Sequence, residues 1–181
     1  MPIKDYILYG AIILIGIIAD QVSKLIILAQ GWAIGHEVPI IDGLLTFTLH
    51  KNRGAGWGML ADNRWVFMVL STAAIIAFSL YIFLGHADNK FMGISMTLIT
   101  SGGIGNMIDR IFLGEVTDFI RFPFLYYPKF SGGIKWAEFP IFNIADCFVT
   151  VGAFAMIFAL IAALVKEIKK ERRAKRGGEG K

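Results

Sequence analysis

The chain lacks the residues from which a disulfide or a cysteine-based metal centre is built. Cys147 is its only cysteine among 181 residues, which excludes an intrachain disulfide and any site with several thiolate ligands. The three histidines, His36, His50 and His86, are scattered, and no two of them have ligand spacing. Cys147 follows Asp146 in an apolar run and reads as a small buried hydrophobe rather than a nucleophile. There is no internal repeat, and no low-complexity stretch beyond a charged C-terminal tail.

Apolar residues, by contrast, are abundant. They make up 56% of the chain, with a mean hydropathy of +0.62, above the usual share of about 45–50% in soluble domains. The excess falls in blocks. A hydrocarbon core about 30 Å thick needs roughly 20 apolar residues in a helix, and four segments qualify: 6–28, 65–84, 91–108 and 144–165. The first is too long for a cleaved leader and carries Asp20, Ser23 and Lys24 near its far end, so it reads as a retained span. Residues 1–181 then form a single membrane domain, an all-α bundle of four transmembrane helices.

Charge orients that bundle. Eight of the 18 Lys and Arg residues lie in the tail 166–181. This tail reads as a solvated cytoplasmic end facing anionic lipid head groups. Nothing else in the chain supports its being a nucleic-acid arm. Four spans put both termini on the cytoplasmic side and send segments 29–64 and 109–143 outward. The first outward segment reads as strand, turn and strand: 38–41, Asp42-Gly43, then 44–50, where Leu45, Phe47 and Leu49 alternate with Thr46, Thr48 and His50. The second is rich in rings, from Phe119 and Phe122 to Trp136 and Phe142, which favour the bilayer interface. Together they predict a small extracytoplasmic β platform, with breaks at Pro123, Pro128, Ser131-Gly132-Gly133 and Pro140.

Polar residues stand where lipid-facing ones would be expected. Asp20, Ser23 and Lys24 fall at i, i+3 and i+4, so Asp20 and Lys24 can pair on one helix face. Such a pair would either order the bundle or form a polar wall beside a substrate. A Ser–Lys peptidase is disfavoured, because adjacent helical residues point about 100° apart. Lys51-Asn52-Arg53-Gly54-Ala55-Gly56-Trp57-Gly58 reads either as an ordinary glycine-rich loop or as an edge that another chain approaches, with the Asn52 amide able to donate and accept. Gly102, Gly103 and Gly105 suit close helix packing, while Asn106, Asp109 and Arg110 share a face and imply a hydrogen-bonded network. Asn143 can cap the fourth helix, with Asp146 near the positive end of its dipole. Asp118 is either a turn residue before a strand or part of a site. A carboxylate at the rim of a membrane bundle is costly to bury, and two that converge suggest acid–base chemistry.

Five motifs line up in order: Asp20-x-x-Ser23-Lys24; Asn52-x-Gly54-Ala55-x-x-Gly58; Gly102-Gly103 and Gly105 running into Asn106-x-x-Asp109-Arg110; Gly114-x-Val116-x-Asp118-Phe119; and Phe142-Asn143-x-Ala145-Asp146. In these the chain resembles the bacterial lipoprotein signal peptidases, or type II signal peptidases, over positions 20–146. The resemblance implies an integral inner-membrane aspartyl endopeptidase that removes the signal peptide of diacylglyceryl-modified prolipoproteins, cutting just before the lipidated cysteine. It puts the catalytic pair on Asp118 and Asp146. Supporting or substrate-binding roles fall on Asp20, Lys24, Asn52, Gly54, Asn106, Asp109, Arg110 and Asn143. The expected partners are prolipoproteins and membrane lipids, with no nucleic acid, metal or cofactor, and the self-contained motifs point to a monomer. Two features depart from the pattern: Gly56-Trp57 where an alanine and a phenylalanine are more usual, and a long stretch from Phe119 to Pro140. The rival reading is a small four-span proton or ion transporter lined by Asp20, Lys24, Asp109 and Arg110.

Overall fold

The structure, a computed structural model, describes residues 1–54, 64–85, 89–130 and 134–178. Residues 55–58 of the glycine-rich loop, His86 and the break 131–133 lie outside the described residues. Among the described residues there are four helices: α1 (Ile3–Ala29), α2 (Arg64–Phe83), α3 (Lys90–Phe112) and α4 (Ile144–Gly178). With them are two antiparallel sheets, one of β1 (Glu37–Ile41), β2 (Leu45–Asn52) and β3 (Val116–Arg121), and a hairpin of β4 (Tyr126–Phe130) and β5 (Ile134–Glu138). Among the described residues, α1, α3 and the first 30 residues of α4 are long and apolar enough to cross a membrane. The apolar run of α2, Met68–Phe83, is shorter.

The packing is inverted relative to a soluble protein. Ile7, Leu14, Ile15 and Leu25 of α1, and Phe154, Phe158 and Leu164 of α4, are exposed, whereas Asp20, Lys24, Ser95, Thr97, Thr100, Ser101 and Asp109 are buried. Apolar side chains facing outward gain nothing in water but are at home in lipid. Two of the hydroxyls inside are satisfied along their own helix, Ser95 Oγ donating to the Phe91 carbonyl at 2.7 Å and Thr97 Oγ1 to the Gly93 carbonyl, while Ser101 Oγ crosses to the Ile13 carbonyl of α1 at 3.2 Å.

Helix α3 is the central post, packing against α1, α2 and α4. Glycine makes its approach to α4 possible. A Cβ on Gly102 would overlap the Ala145 carbonyl oxygen and lie 2.8 Å from Val149 Cγ2, and one on Gly152 would lie 2.8 Å from the Ser95 carbonyl oxygen. Backbone cannot yield as a side-chain tip can. Gly102→Ala should therefore force α3 and α4 apart and lower stability by about 1–3 kcal/mol. Thermal unfolding in detergent measures this, and an unchanged midpoint would show the contact to be slack.

β1 begins one residue before the predicted strand, and β2 begins one residue later and ends two residues further on than predicted, with Gly43 at φ 67° in the turn between them. The strict alternation expected for β2 does not hold, because Thr48 and Leu49 are both buried. The β2–β3 register shifts between Phe47 and His50, and such an irregularity turns one residue out of phase. The basic tail expected from 166 onward is the helical continuation of α4 as far as Gly178. Asp109 and Arg110, placed just beyond the third span by sequence, lie in the last turns of α3. The long aromatic segment is the β4–β5 hairpin, tied to the first sheet by Arg121, which forms ion pairs with Glu37 and with Glu138.

Candidate active site

Asp118 and Asp146 lie 28 positions apart, and backbone pairing brings their segments together. Residue 142 is stitched to β3: Phe119 and Ile120 N–H both donate to the Phe142 carbonyl, and Phe142 N–H returns a bond to the Ile120 carbonyl at 3.1 Å. This lays the start of α4 alongside Asp118, which is inside β3 and not in a turn. Asn143 then caps α4 as expected, its Oδ1 accepting from Asp146 N–H at 3.0 Å. Asp146 closes the reciprocal half of the capping box, its Oδ2 accepting from Asn143 N–H at 3.2 Å.

Three asparagine amides face the two carboxylates. Asn143 Nδ2 donates to Asp118 Oδ1 at 2.7 Å, and Asn52 Nδ2 donates to Asp118 Oδ2 at 2.9 Å. Asn106 Nδ2 donates to Asp146 Oδ1 at 2.8 Å. Asn143 thus touches both acids. The amides cannot turn round, because each carbonyl end has its own donor: Gly54 N–H on Asn52, Lys24 Nζ on Asn106, and Asp146 N–H on Asn143.

Below the acids, Lys24 Nζ reaches Asp20 Oδ2 at 2.8 Å, Asp109 Oδ2 at 3.1 Å and Asn106 Oδ1 at 3.1 Å. Arg110 donates to the Asn106 carbonyl at 3.2 Å and to the Gly54 carbonyl at 3.4 Å, and its charge acts on Asp109, Asp118 and Asp146. All ten residues singled out from the sequence meet in this one network. It also holds a residue the sequence reading missed: Gln21 Nε2 lies within 3.1 Å of Asp20 Oδ2, the Gly105 carbonyl and Asp109 Oδ1. The only signal available in the sequence was its position beside Asp20.

With every group ionised, the four aspartates, Lys24 and Arg110 carry two excess negative charges. A bound proton relieves that. Burial, with the Asp146 charge acting in the same direction, pushes the Asp118 carboxyl up to about 7. Asp118 is 1% exposed, whereas Asp146 opens onto a cavity of about 580 Å³. Asn52, Asn106 and Arg110 line that cavity with Asp146, and Ile75, Ile99, Val149, Phe122, Phe139 and Phe142 form much of its apolar wall. Cys147, read from the sequence as buried, is half-buried and also on this wall.

Fold and site together define a polytopic membrane protein with a paired-carboxylate centre under a small sheet. Residues 12–162 match the family model of signal peptidase (SPase) II. The lipoprotein signal peptidase of Anoxybacillus flavithermus is 34% identical over 153 residues, covering 84% of either chain. Two solved structures of a bacterial membrane enzyme, obtained by the in meso method, superpose with TM-scores of 0.72 and 0.69 at 36% identity. They cover 85% and 84% of this chain, and 87% and 91% of theirs. The chain belongs to the signal peptidase II family and is an aspartic peptidase of that type. This answers the transporter alternative.

Proposed function

We propose that the protein cleaves diacylglyceryl-modified prolipoproteins on the N-terminal side of the lipidated cysteine, with Asp118 and Asp146 sharing one proton and activating water. The observation that carries this reading is the Asn143 bridge, a single residue bonded to both carboxylates beside an apolar cavity. Two acids this close cannot both ionise easily. Asp118, deeply buried, holds the proton in the resting enzyme. Asp146, on the cavity wall, takes a proton from the attacking water while the shared proton polarises the scissile carbonyl and later passes to the leaving amine. Asn52 and Arg110, which line the cavity, hold the substrate backbone.

The termini lie on the cytoplasmic side and the site near the outer face. In support, the 20 helical residues separating Asp146 from Lys166 span about 30 Å, the thickness of a hydrocarbon core. The lipid anchor confines the substrate to the same plane, which raises its effective concentration at the site.

The proton on Asp118 sets the pH dependence. The protonated form persists up to about 7, so kcat/KM should fall as pH rises through about 7. The folded chain keeps this proton where the unfolded chain, with an ordinary carboxyl near 3.8, has lost it. The contribution of Asp118 to stability is therefore full below about 4 and is lost as pH rises through about 7. Steady-state cleavage of a lipopeptide in detergent micelles from pH 5 to 9 tests the kinetic statement. A rate still climbing beyond pH 8 would remove the shared proton from the mechanism.

A further inference from the structure

The two acids belong to different elements, β3 and α4, and each is preceded by a backbone N–H held by a second carboxylate. Asp20 Oδ1 accepts from Ala145 N–H at 2.9 Å, next to Asp146. Asp109 Oδ2 accepts from Thr117 N–H at 3.0 Å, next to Asp118. Asp20 thus satisfies an N–H at the first turn of α4 that has no partner within the helix, and Asp109 fastens the strand. Beside the Phe142 stitch and the Asn143 bridge, the separation of Asp20 from Asp109 is thus a second link between the two acids.

Two side chains bridge those holders. Lys24 is one, through Asp20 Oδ2 and Asp109 Oδ2. Gln21 is the other, through Asp20 Oδ2 at 3.1 Å and Asp109 Oδ1 at 3.0 Å. The Gln21 amide has one possible orientation, since three acceptor oxygens surround it and only its NH2 end can face them. The space is close-fitting: a Cβ on Gly105 would stand 2.6 Å from Asp20 Oδ2.

We infer that Gln21 is a positioning residue for catalysis: by clasping Asp20 to Asp109 it sets the spacing of Asp118 and Asp146, and hence their sharing of a proton. This rests on the acid-pair reading above. Lys24 supplies the charge and meets both carboxylates at Oδ2, whereas Gln21 reaches the other oxygen of Asp109, Oδ1. The neutral amide adds a second point of attachment without adding charge. The charged groups around it are Asp20 and Lys24 on α1, Asp109 and Arg110 on α3, Asp118 on β3 and Asp146 on α4.

The test compares full-length wild type, Gln21→Met and Gln21→Glu in micelles with a lipopeptide substrate across pH 5 to 9. Gln21→Met keeps the length of the side chain and removes the donor. We expect kcat to fall about tenfold, KM to stay within about twofold, and the basic limb to move down by about half a pH unit as the acids uncouple. Gln21→Glu is a poor clasp when ionised and regains one donor when protonated. Its activity relative to wild type should therefore rise as pH falls towards 5. If Gln21→Met does not accumulate in membranes, Gln21→Glu decides alone. Wild-type kcat and pH limbs in the variants, with or without a lower melting temperature, would overturn the positioning role. Asp118→Asn run alongside separates the two failures: an active Asp118→Asn sinks the acid-pair reading itself, whereas an inactive one beside unaltered Gln21 variants sinks only the clasp.

Discussion

Asparagine at position 118 or at position 146 should leave a folded, membrane-inserted protein whose cleavage rate is lower by about 10³- to 10⁴-fold, the upper range for loss of a positioned acid or base. The substitution keeps shape and removes the titratable carboxyl. It also costs something locally, because each carboxylate accepts on both oxygens: Asp118 from Asn143 and Asn52, Asp146 from Asn106 and from Asn143 N–H. An amide has one acceptor atom, so one donor loses its partner, a penalty of about 1–3 kcal/mol. That is small beside the surrounding network, so the protein should still accumulate. Conversion of a prolipoprotein in membranes, with the variant's abundance read in parallel, measures both effects. Near-normal processing by either variant would end the assignment of the pair.

Lys24→Met should give the largest loss of stability. The Lys24 ammonium is almost fully buried and faces Asp20 and Asp109, themselves 0% and 2% exposed. Burying charge is tolerable only when it is paired and hydrogen-bonded. Removing one partner leaves the others uncompensated, at a cost of about 3–5 kcal/mol. Asn106 also loses one of the two donors to its carbonyl end, keeping the Asn143 amide. Adding Asp20→Asn to Lys24→Met removes one stranded charge and should restore part of the loss, while still weakening the cap on Ala145 N–H. Thermal unfolding in detergent should show the single variant about 10 °C or more below wild type, with the double variant between them. A double variant more fragile than the single one would contradict this account.

The helices and their polar faces were legible in the sequence because helical periodicity is local. Asp20 and Lys24, Asn106 and Asp109, and Asn143 and Asp146 announce shared faces by their spacing, and the ion pair and the cap are where that spacing puts them. Contacts between distant elements were not legible. Nothing about Asp20 reveals that its other oxygen receives the N–H of Ala145, 125 positions later. Gln21 is about 100° round the helix from Asp20 and so falls off the polar stripe; its role depends on how closely α3 approaches at Gly105. Asp118 was ambiguous between turn and site because the residues before it, Gly114 and Glu115, look like a turn; Gly114 does take a positive φ of 79°, but the strand begins at Val116. The family resemblance rested on the motif order, which neither periodicity nor composition supplies.

The stitch at Phe142 has a bearing on how this chain can vary. Main-chain atoms, indifferent to side-chain identity, hold the strand to the first residues of the last helix. The hairpin between Phe122 and Phe139 leaves and returns through that seam, so its length is decoupled from the backbone geometry of the acids, while those two rings stay with the cavity wall. The hairpin is a place where material can be inserted, trimmed or exchanged while the chemistry stays in register, and grafts between relatives should be made there.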